Sequence, residues 1–446
     1  MISIIDIILI IFYFVSIAII GYLSSKKESS AEFILANKKL SVWENIATLV
    51  STKITATVIV TYVALVYVFG ISAIWVYIGT ALGFSIFLLF AIKLKKEGDL
   101  NNYYSIADYF YKRCGQFTGM FVSILMYVLF LFNFAIQLLA GAKILQVLTG
   151  ISFLLGILLC SIVILFYLYR GGFKAVIKID NMQFISIMLL FIVLLVFLFS
   201  NFTYDITQWK LMSAGPKFII PFLVAGILIP FSAPDMWQRV LAAKSVKSLK
   251  KSFIITTIIF VVFGFILSLI AIIIRLKLPA INAETALIAG FTQLLPNGLL
   301  GLGIVALFAA IMSSADSFAF ICSGFLMQNI AFHNKKHNKV KWLKYGLLIT
   351  IILGVIIAIS FESILKATFL LSGLLMVLSI VVLTTWIKKY VKSLIINYSL
   401  IIGILFTTSF AIFKGISAML IVIGILGGLI GLIIGIMVSF VRQRIP

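Results

Sequence analysis

Long apolar segments, separated by short polar stretches, run along almost the whole chain. Most of them reach the roughly 20 residues that a helix needs to cross a bilayer. The predicted spans cover residues 4–24, 42–70, 74–94, 117–148, 151–169, 180–201, 217–238, 252–275, 297–327, 344–361, 364–387, 394–413 and 416–440. The pattern therefore predicts an all-α integral membrane protein with about 13 transmembrane helices.

Two predicted spans, the second and the seventh, are interrupted near their middle. The second contains the polar island from Ser51 to Thr57, and the seventh contains Pro230, Ser232 and Pro234. Broken helices are tolerated at membrane depth only where the freed backbone lines a cavity or is buried in protein. Five helices separate the two breaks, which is the interval expected if helices two to six and seven to eleven form an inverted repeat.

Composition excludes a soluble globule and explains the charge. Hydrophobic residues make up 63% of the chain, charged residues only 11%, and the mean hydropathy is +1.25. The net charge of +22 resides mostly in alternate loops, so by the positive-inside rule we expect the N-terminus outside and the C-terminus in the cytoplasm. The charge therefore indicates orientation and contact with anionic lipid, with no nucleic-acid partner. Met1 to Leu23 lacks a basic leader and is expected to remain as the first span.

One ionisable group lies among hydroxyls inside the ninth predicted span. Ala310, Ser313, Ser314 and Ser317 share one face of a helix, and Asp316 lies at the edge of that face. A carboxylate in the hydrocarbon region is costly and usually faces a cavity, an ion or a partner. The oxygens would suit a hard cation. Close helix packing by small residues is the alternative, but it leaves the carboxylate unexplained.

Other charged groups suggest further roles. Lys53 lies about ten residues from either end of its span, where a lysine costs roughly 2.5–3.5 kcal/mol unless it is paired or wetted. It could replace a bound cation, attract an anionic substrate or carry a proton; snorkelling is the alternative. Asp180 could line an ion path or simply complement a helix N-terminus. His333 and His337 have metal-ligand spacing but lie in a lysine-rich loop, which favours solvated surface.

Three motifs stand out along the chain. They are Gly171-Gly172-Phe173-Lys174-Ala175 leading to Asp180 and Gln183, then Trp237-Gln238-Arg239-Val240-Leu241-Ala242-Ala243-Lys244-Ser245, and Ala309-Ala310-Ile311-Met312-Ser313-Ser314-Ala315-Asp316-Ser317. Together they resemble the sodium:solute symporter family, which includes sodium/glucose, proline, pantothenate and sialic acid carriers. The likeness runs from about residue 1 to 390. It implies the LeuT-type five-plus-five inverted repeat, with broken first and sixth core helices and alternating access.

The resemblance also implies a sodium site between the first and eighth core helices. The carbonyls of Ser51, Ile54 and Ala310 and the hydroxyls of Ser313 and Ser314 would be its ligands. Asp180, Asp316 and Ser317 could mark a second cation path. The substrate or coupling residues would be Lys53, Thr55, Thr57 and Ser232.

Lys53 departs from the family pattern, in which this position tends to be Asp, Asn or another uncharged residue. An ammonium a few ångströms from a sodium ion would repel it by ~4 kcal/mol at an effective dielectric constant of 20. We expect Asp316 or Asp180 to neutralise this charge. A sugar is not favoured as solute, and a small carboxylate-bearing solute attracted by Lys53 is a hypothesis.

The leading interpretation is a secondary transporter for a small organic solute, with Na+ as coupling ion or with Lys53 replacing or modifying that coupling. Alternatives are a proton-coupled or uncoupled carrier or exchanger of a small carboxylate, and a transporter-like sensor, against which the absence of a signalling domain after Pro446 counts. An aspartyl protease built on Asp180 and Asp316 lacks its sequence context. Apart from Na+ no cofactor is expected, nor is an enzymatic activity.

The predicted organisation has four parts. They are a peripheral helix and loop (1–40), the first repeat (41–201), the second repeat (202–390) and two peripheral C-terminal helices (391–446). The expected location is the cytoplasmic membrane of a prokaryote.

Overall fold

The computed structural model of the chain describes residues 3–23, 38–201, 209–331, 339–360, 363–388 and 390–444. The helices in chain order are α1 (Ile4–Leu23), α2 (Val42–Lys53), α3 (Ala56–Phe69), α4 (Trp75–Leu100), α5 (Ile106–Thr149), α6 (Phe153–Asn201), α7 (Pro216–Ser232), α8 (Pro234–Ala242), α9 (Val246–Lys277), α10 (Ala286–Leu294), α11 (Leu299–Gly324), α12 (Lys339–Ser360), α13 (Ile364–Ile387), α14 (Ser393–Lys414) and α15 (Met419–Arg444). The histidine pair, His333 and His337, lies outside the described residues.

The described part of the chain is all-helical, as predicted, with an isolated bridge between Leu40 and Ala243 in place of any strand. Nine of the described helices are long and apolar enough to cross a membrane, or up to ten if α7 and α8 count as one span. Shorter apolar helices cover Ile4–Ile20 and Phe153–Phe166. The all-α membrane class is therefore confirmed, whereas the count of 13 and the four-part division stay predictions.

The predicted break in the second span separates α2 from α3. Helix α2 begins with a capping box in which Ser41 and Glu44 each bond the other's backbone. It ends at Lys53, because Ile54 has φ −83° and ψ 68° and leaves the helical region. Thr55 then starts α3 by accepting a hydrogen bond from the Val58 amide. The polar island thus contains both the end of one helix and the cap of the next.

The predicted break in the seventh span separates α7 from α8, whose axes differ by 52°. Ala233 joins them in an extended conformation, and Pro234 takes the first position of α8, where its missing N–H costs no helical hydrogen bond. Backbone carbonyls near the end of α7 accept hydrogen bonds from side chains of the protein. The Phe231 carbonyl accepts from the Trp237 indole at 2.8 Å and the Leu228 carbonyl accepts from Ser379 at 2.8 Å.

The polar connections contain more helix than the sequence pattern predicts. The expected loop at 95–116 is occupied by the end of α4 and by the start of α5, which Ser105 and Asp108 cap. Gly115, with φ 85°, separates the initial segment of α5, residues 106–114, from the membrane part of the helix. The expected outer loop at 275–297 contains α10. Short helices of this kind lack the long apolar run by which spans are recognised.

Helix α11 is anchored at its start by a carboxylate from α1. Asp6 is fully buried, and its Oδ1 accepts hydrogen bonds from the backbone amides of Gly298 and Gly301, both at 2.7 Å. These amides belong to the first turn of α11, where an anion also complements the helix dipole. The contact fixes the position of the helix that carries Ala310, Ser313 and Ser314.

Helices α4 and α7 approach each other closely because glycines face one another. A Cβ added to Gly83 would lie 2.2 Å from the Gly226 carbonyl oxygen, and one added to Gly226 would lie 2.5 Å from the backbone of Gly79 and Thr80. Since the obstacle is backbone, only a shift of one helix could relieve it. This contact holds the broken α7 against α4.

We therefore expect Gly83→Val to destabilise the protein strongly, because the side chain would force α4 away from α7. The matched control is Gly324→Ala in α11, where an added Cβ meets no atom within 4 Å. Thermal unfolding in detergent would measure both, and we expect a large decrease in Tm for Gly83→Val and little change for Gly324→Ala. Equal melting temperatures would mean that the α4–α7 contact is not needed.

Candidate ion and solute site

The break after α2 exposes backbone oxygens at the centre of the bundle. The last four carbonyls of a helix have no intrahelical donor, and in α2 these include the carbonyls of Ser51 and Thr52. The side chains of both residues are fully buried. Oxygens in such a position need a donor or a cation, because no bulk water reaches them.

Two hydroxyls of α11 meet these carbonyls. Ser313 Oγ donates to the Ser51 carbonyl at 2.7 Å, and Ser314 Oγ donates to the Thr52 carbonyl at 3.2 Å. Both hydroxyls also lie near the Ala310 carbonyl, at 3.3 and 3.0 Å. Three carbonyls and two hydroxyls thus converge between α2 and α11, and these five oxygens are ligands that suit a small hard cation. Ile54 lies at the C-cap of the same turn and is buried.

Lys53 forms an ion pair with a residue for which the sequence analysis proposed no role. Its Nζ lies 2.8 Å from Asp235 Oδ2, and the side chains are 19% and 1% exposed. The expected partners, Asp180 and Asp316, lie elsewhere on α6 and α11, and Asp180 is engaged by other groups. Lys53 ends α2 and Asp235 lies in the first turn of α8, so the pair connects the two breaks. Each charge also complements the dipole of its helix end.

A buried arginine occupies the region of the suggested second cation path. Arg239 is fully buried, although the sequence pattern places it with the basic loop residues. Its guanidinium donates to Thr48 at 2.9 Å, to Thr52 at 2.6 Å and to Ser317 at 2.8 Å. It also lies 3.6 Å from Asp180, which accepts a hydrogen bond from Thr48. The guanidinium thus joins α2, α6, α8 and α11.

Asp316 is fully buried on α11, next to Ser317. The Tyr13 hydroxyl lies within electrostatic range of both Asp316 and Asp180. Asp180 is engaged by Thr48 and Arg239, an arrangement that does not resemble two carboxylates sharing one proton.

A cavity of about 200 Å3 begins at Lys53 and extends toward the ends of the helices that carry few basic residues. Helices α3, α4, α7, α9 and α13 form its walls, which consist mainly of aromatic and aliphatic side chains. Thr57 lines this cavity and its hydroxyl lies 2.6 Å from that of Thr55 and 3.1 Å from the Gln137 amide nitrogen. Ser232 is buried and bonds the Ile229 carbonyl at 3.2 Å; it is not among the residues that line the cavity.

The opposite, basic side of the bundle is closed by aromatic rings. Trp237 is fully buried between Phe90 and Tyr109, with ring centroids 5.1 and 5.2 Å apart. Arg113 lies over the Tyr109 ring and pairs with Glu97 at 2.7 Å. A small cavity of about 40 Å3 remains on this side, lined by Pro234 and Gln238 among others. The break in α7–α8 therefore lies between a large cavity on one side and a small one on the other.

The sequence analysis assigned no role to Asp235 and Arg239, which lie at the candidate site in the structure. Their spacing contains a signal, because they stand four residues apart on one helix directly after the predicted break and therefore share a face. What the spacing cannot supply is the partner of each charge, since Lys53 and Asp180 are brought there from distant segments.

Comparison with known proteins agrees with this geometry. The profile of the sodium:solute symporter family matches residues 33–361, and the chain therefore belongs to the sodium:solute symporter family. It is 24% identical over 264 residues to the sodium/pantothenate symporter of Haemophilus influenzae, covering 55% of this chain and 54% of that protein. It is 24% identical over 183 residues to sodium/proline symporter 2 of Staphylococcus saprophyticus, covering 40% and 36%. The matches span about half or less of these relatives.

Solved structures share the fold. A Na+-coupled sialic acid symporter in a substrate-bound outward-open state superposes with a TM-score of 0.83 at 17% identity, covering 96% of both chains. A transporter of the nucleobase-cation-symport-1 family, closed with bromovinylhydantoin bound, gives a TM-score of 0.62 at 13% identity, covering 94% of this chain and 97% of that one. The expected LeuT-like arrangement is thereby confirmed.

The Arg239 cluster yields a stability prediction. Removing one member of a buried ion pair leaves an uncompensated charge and costs about 3–5 kcal/mol, so we expect Arg239→Met to lower the Tm markedly. Arg239→Met combined with Asp180→Asn should recover much of that loss, because no charge then stays unpaired. Thermal unfolding in detergent measures both, with Arg442→Met, at an exposed position, as control. A single Arg239→Met variant as stable as the wild type would contradict the cluster's structural role.

Proposed function

We propose that this protein is a secondary transporter that moves a small organic solute together with Na+ by alternating access. The observation that carries the proposal is the convergence of Ser313 and Ser314 hydroxyls on the backbone oxygens at the break of α2. A sodium ion could bind between these groups once the two hydroxyls rotate their hydrogens away, since lone pairs of all five oxygens would then face it. The family membership and the sodium coupling named for the relatives support this assignment.

The ion pair of Lys53 removes the main objection to sodium coupling. An isolated ammonium beside the site would repel the ion. Asp235 lies 2.8 Å from the Lys53 ammonium, so its negative charge cancels most of the lysine's repulsion at the position of the ion. The pair therefore makes the region close to neutral without consuming any of the oxygens that would bind Na+.

The two unequal cavities support alternating access. The larger one ends at Lys53 and the smaller one begins near Pro234. With the orientation predicted from the basic loops, the larger cavity faces outward and the aromatic layer around Trp237 closes the cytoplasmic side. Transport would require this layer to open while the outer cavity closes around the solute. The host membrane would be the cytoplasmic membrane of a prokaryote, with the N-terminus outside.

Arg239 favours a single coupling ion. Its guanidinium occupies the space between Asp180 and Ser317 in which a second cation was expected. A fixed positive charge there disfavours another cation by direct repulsion. We therefore expect one Na+ to be carried in each cycle.

The sodium site can be tested without knowing the solute. We expect Ser313→Ala and Ser314→Ala each to weaken Na+ binding about 10- to 100-fold, because a polar contact with a charge contributes about 1.5–3 kcal/mol. Na+-dependent thermal stabilisation, with choline replacing Na+, gives the apparent affinity. Ser323→Ala is the matched control, since Ser323 is a buried serine of α11 that bonds the Leu343 carbonyl instead. Unchanged Na+ affinity in both test variants would place the ion elsewhere.

The role of Asp235 can be tested by removing its charge alone and then together with the charge of Lys53. At an effective dielectric constant of 20, an unpaired ammonium several ångströms from a sodium ion raises the ion's free energy by about 2 kcal/mol. We therefore expect Asp235→Asn to weaken the apparent Na+ affinity by about 30-fold, measured in the same thermal assay. Adding Lys53→Gln to Asp235→Asn should restore the affinity. If the single variant binds Na+ like the wild type, Lys53 does not influence the ion.

Proton coupling is the second candidate, and a specific observation favours it. The Asp235 carboxylate is 1% exposed and has Lys53 as its ion-pair partner, so a proton placed on this carboxylate would remove the charge that holds Lys53. Counterflow and gradient-driven uptake in proteoliposomes, with proline, pantothenate and N-acetylneuraminate as probes, separates the candidates. Uptake driven by a pH gradient alone would favour the proton, whereas dependence on a Na+ gradient would favour sodium. Binding of a solute with no flux under any gradient would favour a sensor.

A further inference from the structure

The large cavity combines one charged group with apolar walls. Among the described residues that line it, Lys53 is the charged one. The rings of Tyr62, Tyr77, Phe222 and Phe260 contribute much of the remaining surface, and aliphatic side chains contribute most of the rest. A pocket of this composition favours an apolar molecule with one negatively charged end.

Lys53 is oriented so that it can receive such a group. Its ammonium has three hydrogen-bond donors, and its Nζ forms an ion pair with Asp235 Oδ2 at 2.8 Å. Asp235 is only 1% exposed and is not one of the cavity-lining residues, whereas Lys53 is 19% exposed and lines the cavity. The carboxylate of Asp235 thus lies behind the lysine and positions the ammonium, which leaves donors for a ligand on the cavity side.

Most polar groups of the wall already have partners. The Thr57 hydroxyl lies 2.6 Å from that of Thr55, and the Tyr62 hydroxyl lies 2.6 Å from that of Ser268. The Tyr77 hydroxyl is buried without a hydrogen-bond partner among the described residues, and Thr61 and Ser372 add two further hydroxyls to the wall. These groups are fewer than the hydroxyls of a sugar, so a sugar would leave some of its hydroxyls unpaired in an apolar pocket.

Charge balance connects such a ligand to the sodium site. The Lys53–Asp235 pair is neutral overall, so adding either a sodium ion or a carboxylate alone leaves one net charge in a low-dielectric region. Adding both restores neutrality. Each ligand should therefore raise the affinity for the other by the same factor, as thermodynamic linkage requires.

We propose that the transported solute is an apolar monocarboxylate whose carboxylate binds Lys53 and whose body lies between the aromatic rings of the cavity. This inference rests on the proposed transport function and specifies its substrate class. A second carboxylate would find no further cation in the described wall, and a cationic group would be repelled by Lys53. Asp235 acts as a positioning residue because it holds the ammonium without contacting the solute.

The test compares molecules that differ mainly in charge. Benzoate and 4-methylpentanoate are the acidic probes, and benzamide and benzylamine are the neutral and cationic analogues. With the purified full-length protein, we expect calorimetry to detect binding of at least one acid and at least tenfold weaker binding of both analogues. Replacing Na+ by choline should weaken acid binding at least tenfold.

Variants identify the anchoring group. Lys53→Gln should abolish the preference for the acid over its amide. Lys366 is an exposed lysine at the start of α13, and Lys366→Gln should leave this preference unchanged. Retained Na+-dependent thermal stabilisation will show that Lys53→Gln is folded. If Lys53→Gln does not fold, Asp235→Asn provides the second test, and we expect its carboxylate preference to persist with a changed dependence on Na+.

Several outcomes would overturn the substrate class: no binding of either acid at millimolar concentration, equal binding of benzoate and benzamide, or unchanged acid preference in Lys53→Gln. Counterflow separates this inference from the transport function. If an acid binds but shows no flux, the carboxylate site stands and the transport function fails. If proline or N-acetylneuraminate is transported while neither acid binds, transport stands and the monocarboxylate assignment is wrong.

Discussion

Backbone and charged groups at the centre of a membrane bundle must find partners within the protein, and this constraint determines the architecture around the two broken helices. In α7 the freed carbonyls are bonded by the Trp237 indole and the Ser379 hydroxyl. In α2 the carbonyls of Ser51 and Thr52 meet the hydroxyls of Ser313 and Ser314, which can also coordinate a cation. The two breaks therefore differ in chemistry although they are equivalent in the repeat. One is closed by side-chain donors and the other keeps oxygens that an ion could use.

The ion pair between Lys53 and Asp235 connects these breaks and neutralises both helix ends. A lysine at a helix C-terminus and an aspartate at a helix N-terminus each have a favourable dipole interaction, so the pair is stabilised by more than its mutual attraction. Their unequal exposure gives them different roles, because the lysine can meet a solute while the aspartate stays behind it. A charge that seemed incompatible with sodium coupling thus becomes a candidate for coupling the ion to an anionic solute.

Arg239 illustrates how the same bundle handles a second buried charge. Its guanidinium donates to three hydroxyls and to the Asp235 carbonyl, and it faces Asp180. This cluster is buried, whereas the Lys53 pair borders a cavity. A buried cluster of this kind connects four helices. The aromatic layer around Trp237 adds closure on the basic side of the bundle. Opening of the basic side would therefore require repacking of these rings.

The sequence by itself determined the membrane class, the two breaks and the oxygen-bearing face of α11. The length of an apolar run, the position of a proline and the spacing of Ala310, Ser313 and Ser314 each depend only on residues close together in the chain, so the sequence is sufficient to predict them. The partner of Lys53 and the burial of Arg239 were decided only by the tertiary structure. Asp235 and Lys53 are about 180 residues apart, and no periodicity indicates which distant carboxylate packing will bring to an ammonium. The cavity likewise depends on how several helices pack around an open space, and no single segment of the sequence indicates it.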